Sequence, residues 1–187
     1  IENCTASRCK NAGIKINNSN IILNRGFIAF RNYELRDGGS SHLAEKWENG
    51  SAGLKANNSN ITLSASISAY KGCPIDSPFC FYRNLVGMDI QNSQITTPMK
   101  AKLGRNMAGN PSTENRGSET IVLQVFFNKN TGILAKNSVI RTNERVSVFQ
   151  NDQGMELDNS LFETSQSTFD HNKRSGVRAR NSVFVYN

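Results

Sequence analysis

Gly154-Met155-Glu156-Leu157-Asp158-Asn159-Ser160 is followed, 22 residues on, by Gly176-Val177-Arg178-Ala179-Arg180-Asn181-Ser182. In the first copy Met155 and Leu157 alternate with Glu156 and Asp158, the period-two pattern of a β-strand with one apolar and one polar face. Asn-Ser then reads as a turn, because a short amide side chain tolerates left-handed backbone. The same phrase occurs at residues 13–19, 53–59, 87–93 and 132–138. A short unit that recurs in this way, and that cannot bury its apolar face alone, is the signature of stacked repeats.

The Asn residues of the Asn-Ser pairs fall at 18, 58, 92, 137, 159 and 181, so successive gaps are 40, 34, 45, 22 and 22. The two equal gaps set a repeat of 22 residues, and the longer ones exceed it by 18, 12 and 23. The gap of 45 fits either one repeat with an insertion or two repeats. A second strand is predicted after each Asn-Ser, as at Leu161-Phe162-Glu163-Thr164. A third is predicted before the next Gly, as at Val146-Ser147-Val148-Phe149 and Val122 to Phe127. Three short strands separated by turns make one rung of a parallel β-helix.

Adding 22 aligns Ile133, Met155 and Val177, and Ala135, Leu157 and Ala179, as inward positions. It aligns Lys136, Asp158 and Arg180, and Leu134, Glu156 and Arg178, as outward positions of alternating charge. Asn137, Asn159 and Asn181 are expected to form an amide ladder along the first corner. The expectation is all-β: one domain over 1–187 of about six rungs, read as part of a longer fibre, with insertions at 33–52, 71–86 and 98–118.

Loops on a repetitive scaffold are where recognition is expected. The first two insertions are predicted at the same corner, between a third strand and the next Gly. They bring Tyr33, His42, Trp47, Phe81, Tyr82 and Arg83 to one edge as a candidate sugar-stacking surface. The alternative is that these aromatics only pack the loops onto the body. The third insertion, between second and third strands, carries Lys100, Lys102 and Arg105, candidates for an anionic ligand. With 22 basic and 15 acidic residues the formal charge is +7, which suits anionic polysaccharide or lipopolysaccharide. No nucleic-acid motif accompanies it, so no nucleic-acid partner is expected. No apolar run is long enough to span a membrane.

Cys4/Cys9 and Cys73/Cys80 are two close pairs. They fit disulfides in an extracellular setting, with free thiols or a metal site as alternatives. The spacings lack the two-residue zinc knuckle, and only His42 and His171 are available as nitrogen ligands, so neither metal nor cofactor is expected.

The Gly-apolar-x-apolar-x-Asn-Ser rung resembles those of the pectate-lyase-like right-handed parallel β-helix superfamily. Within it the chain is similar to the shafts of phage tail fibres and tailspikes, including cyanophage types, and to bacterial surface adhesins. The resemblance implies a right-handed, single-stranded β-helix in an extracellular fibre, with homotrimers or longer fibres as assemblies. It also leaves open a polysaccharide-degrading enzyme. A hydrolase needs two carboxylates on one groove, about 5–9.5 Å apart, for which Glu156 with Asp158, or Asp152 with Asp170, are candidates. In the 22-residue register Lys136, Arg178 and Arg180 flank Glu156 and Asp158, which favours ionised carboxylates over a proton donor. A pectate-type lyase would show clustered Asp residues for calcium and an Arg-x-Pro-x-x-Arg stretch, and neither is present.

Overall fold

The computed structural model describes residues 2–7, 9, 11–30, 52–64, 79–97 and 121–186. These hold fifteen strands and no helix. They are β1 (Glu2–Ser7), β2 (Ala12–Asn17), β3 (Asn20–Phe30), β4 (Ala52–Asn57), β5 (Asn60–Ser64), β6 (Phe79–Tyr82), β7 (Val86–Gln91) and β8 (Gln94–Thr96). There follow β9 (Ile121–Phe126), β10 (Thr131–Lys136), β11 (Val139–Phe149), β12 (Gln153–Asp158), β13 (Leu161–Asp170), β14 (Ser175–Arg180) and β15 (Val183–Tyr186). The repeated Gly phrases form a six-stranded sheet in the order β14-β12-β10-β7-β4-β2, and the remaining strands form a nine-stranded sheet. Every pairing is parallel. The chain passes from one sheet to the other and back, landing one strand further along each time.

The 22-residue register holds: Ile133 pairs with Met155 and Met155 with Val177, and Lys136 pairs with Asp158 and Asp158 with Arg180. β10 pairs directly with β7, Ile133 opposite Met88, so the gap of 45 contains one rung. Two expectations are corrected. First, the second and third strands are not separated by a turn in the last full rungs. They run on as one strand, β11 or β13, with a register shift between Thr142 and Arg145. Second, residues 79–82 are not part of a corner insertion. Strand β6 continues the position of β5: the first part of β3 pairs with β5 and its last part with β6, just as β11 pairs with β8 and then β9. The second interruption therefore lies between second and third strands, like the third.

The inward columns fill the space between the sheets. Leu54, Met88, Ile133 and Met155 form one column; Ile61, Ile95, Ile140 and Phe162 form another, and all are buried. Each such side chain contributes about 1.5–3 kcal/mol by leaving water. At Gly53, Gly87, Gly132 and Gly154 nothing larger fits. A Cβ on Gly132 would stand 2.6 Å from the carbonyl oxygen of Gly154 and 2.8 Å from Cγ1 of Val148.

At the first corner Asn18, Asn58, Asn92, Asn137, Asn159 and Asn181 all have φ of 47–50°. Amide bonds link three of them, Asn137 Nδ2 donating to Asn92 Oδ1 at 3.2 Å and Asn159 Nδ2 to Asn137 Oδ1 at 2.9 Å, so the outer ladder holds between Asn137 and Asn159 as expected and extends back to Asn92. The serines that follow form a second, continuous ladder. The N–H groups of Ser19, Ser59, Ser93, Ser138 and Ser160 each donate to the Oγ of the next rung's serine, at 2.9–3.2 Å. Each hydroxyl in turn donates to the carbonyl two residues before it, which fixes the direction of the chain across rungs.

Candidate ligand groove at the second corner

The return from the nine-stranded to the six-stranded sheet makes a second corner that the Gly phrase does not announce. Asn84, Asn128, Asn151 and Asn172 follow one another there, and the first three are at most 2% exposed. Asn128 Oδ1 accepts the N–H of Asn84 at 2.9 Å, Asn151 Oδ1 that of Asn128 at 3.0 Å, and Asn172 Oδ1 that of Asn151 at 3.0 Å. Their Nδ2 groups reach carbonyls of the preceding strands, Asn84 to Ala29, Asn128 to Phe81, Asn151 to Val125 and Asn172 to Val148. Buried backbone groups at a sharp bend need such partners.

Immediately before each of these asparagines stands a residue in left-handed conformation: Arg83 (φ 54°), Phe127 (53°), Gln150 (54°) and His171 (50°). All four side chains are exposed. Three of them, Phe127, Gln150 and His171, line a groove of about 540 Å³ together with Asn128, Lys129, Asn151, Asp152 and Lys173. Phe127 is 48% exposed and meets Phe126 edge-on at 5.6 Å. Phe126 is itself stacked between Tyr82 (5.0 Å) and Phe149 (4.9 Å), an aromatic column that anchors the groove wall.

The acids of the groove are engaged. Arg174 Nε donates to Asp152 Oδ2 at 2.6 Å, and this bond holds the Asp152 carboxyl below its ordinary value of 3.8 against partial desolvation, with the charges of Arg174 and Lys173 adding to the effect. His171 Nδ1 lies 2.6 Å from Asp170 Oδ2. No ion pair joins Lys129 or Lys173 to an acid among the described residues.

The structure rearranges the sequence-derived candidates. Phe81 is completely buried between the sheets, and this removes it from any ligand surface. Tyr82 is half-buried in the aromatic column, and Arg83 is exposed but does not line the groove. Glu156 and Asp158 stand on the outer face of the six-stranded sheet, away from the groove. Asp158 pairs with Arg180 at 2.7 Å and Glu156 with Arg178 at 3.9 Å. The bond from Arg180, then the charges of Arg180 and Lys136, hold Asp158 below 3.8. Tyr33, His42, Trp47, Lys100, Lys102 and Arg105 lie outside the described residues. So do Cys73 and the side chain of Cys4, whereas Cys9 is half-buried and Cys80 is completely buried with Sγ 3.9 Å from Gln124 Oε1. No cluster of three or more metal-ligating side chains occurs among the described residues.

No family model, no curated protein and no solved structure matches the chain. The second corner was missed in the sequence because its asparagines sit three residues before the Gly in two rungs and four in the others, which blurs a fixed step. A usable signal was present: a core residue, two others, then Asn, at Phe81 to Asn84, Val125 to Asn128, Val148 to Asn151 and Phe169 to Asn172.

Proposed function

We propose that this chain is a right-handed parallel β-helical segment of an extracellular fibre, of the kind found in phage tail fibres and tailspikes or bacterial surface adhesins, and that it binds cell-surface glycan. The observation that carries the reading is the serine ladder, unbroken from Ser19 to Ser182, which holds six successive rungs in one register. Such a stack is a stiff support on which excursions of the chain are displayed, and that is a shaft's task. Homotrimers or longer fibres are the assemblies it suits, and Cys73 with Cys80 form a disulfide in the same extracellular setting. A polysaccharide-degrading enzyme would need a carboxyl kept protonated as general acid. Asp152 and Asp158 are instead held ionised by arginines, which argues against that alternative.

A surface-glycan array probed with the purified chain tests the proposal. Retention of bacterial surface polysaccharide is expected. No retained glycan, or glycan turnover measured as released reducing ends, refutes it.

A further inference from the structure

We propose that the second corner is itself a binding strip for a linear, carboxylated glycan, with Phe127 as the stacking platform and Lys129 and Lys173 as the carboxylate contacts. The inference rests on the glycan-binding reading above, but moves the site from the inserted loops to the rungs.

The contrast between the two corners carries it. The first corner needs left-handed backbone and uses Asn six times in six. The second needs the same conformation and uses Arg83, Phe127, Gln150 and His171, none of them Asn or Gly. Left-handed backbone crowds the Cβ of any L-residue, and Asn and Gly are the types that visit it routinely. The buried amide that follows satisfies the backbone of the bend, so the bend itself does not require an aromatic ring or an imidazole in front of it. Residues held in a disfavoured conformation by a well-ordered surround are often there for their chemistry.

That chemistry fits one class of ligand. The exposed side chains follow one another along the stack, one per rung, roughly 4.8 Å apart, which is close to the advance of one sugar residue in an extended β-linked chain. Phe127 offers a half-exposed ring of the kind pyranoses stack upon, and Gln150 offers an amide for hydroxyls. Lys129 and Lys173 lie two rungs apart, about 10 Å, so both can meet carboxylates of alternate residues. The acid that lines the groove adds little repulsion, because Asp152 is paired with Arg174. The buried amides behind the strip hold it rigid, so little ordering is required on binding.

Calorimetric titration of the whole chain with β-linked hexaglucuronate, and with uncharged cellohexaose of equal length, tests the assignment. The acidic hexamer should bind about tenfold tighter or more. Phe127→Asn should weaken it about tenfold, while the melting temperature stays level or rises because Asn suits the left-handed site. A Lys129→Ala, Lys173→Ala double variant should abolish the preference for the acidic hexamer. The proposal is overturned if wild type binds both hexamers equally or neither, if single-stranded DNA binds more tightly, or if Phe127→Asn binds unchanged. In that last case glycan binding stands and its site is in the inserted loops. If no glycan on an array is retained, the broader reading fails as well.

Discussion

Replacing Asn128 by Ala should cost more than any comparable change on the outer ladder. The side chain is 2% exposed and makes four hydrogen bonds. Its Oδ1 accepts from Asn84 N–H (2.9 Å) and Asn84 Nδ2 (3.2 Å), and its Nδ2 donates to Phe81 O (3.1 Å) and Asn151 Oδ1 (3.0 Å). At about 1 kcal/mol for each bond, and more where a buried partner loses its acceptor, the sum is about 4 kcal/mol. For a chain of this size, a loss of that order lowers the melting temperature by about 8–16 °C. The control is Asn159→Gly, which removes the exposed amide bond to Asn137 but keeps a residue tolerant of left-handed backbone, at a cost of about 1 kcal/mol or less. Urea unfolding followed by circular dichroism, with matched slopes, measures both. A loss below about 1 kcal/mol for Asn128→Ala, or one equal to that of Asn159→Gly, refutes the view that the buried amides hold the second corner together.

Gly132→Ala should destabilise by about 1–3 kcal/mol, because the new methyl meets the carbonyl of Gly154, the Val148 side chain and Asn151 Nδ2 at 2.6–2.9 Å; unchanged urea midpoints would show that the rungs can part. For pH, Asp158 and Asp152 have carboxyls depressed below 3.8 by Arg180 and Arg174. Their contribution is present above 3.8 and is lost as pH falls through the depressed values. Acid titration of Asp158→Asn should therefore show a shallower fall in stability below 3.8 than wild type, and parallel curves would contradict the ion-pair assignment.

The six-stranded sheet was legible because its signals are local and evenly spaced. Gly, two inward apolar residues and Asn-Ser recur within seven residues, and a step of 22 carries Ile133 onto Met155 and Lys136 onto Asp158. The nine-stranded sheet was less so. Phe79 to Tyr82 read as loop because the interruption before it displaced it from the expected place, and its pairing with Phe27 to Phe30 on one side and Leu123 to Phe126 on the other identifies it as a strand. Phe81 read as a ligand aromatic for the same reason, since its neighbours in the core come from other rungs. The serine of Asn-Ser read as turn propensity, although its hydroxyl faces the next rung's N–H. The groove was hidden because Phe127, Gln150 and His171 share no residue type, only a backbone conformation, and φ is not visible in a sequence.

The split strands have a practical consequence. β5 and β6 together occupy the track of β3, and β8 and β9 that of β11, so the pairing is in register on both sides of residues 65–78 and of residues 98–120. Rung spacing is thereby uncoupled from the length of what lies between. Segments of other length and composition can be spliced at these two points while the neighbouring rungs keep their pairing, which makes the chain a modular mount for foreign peptide at fixed intervals along a rigid axis.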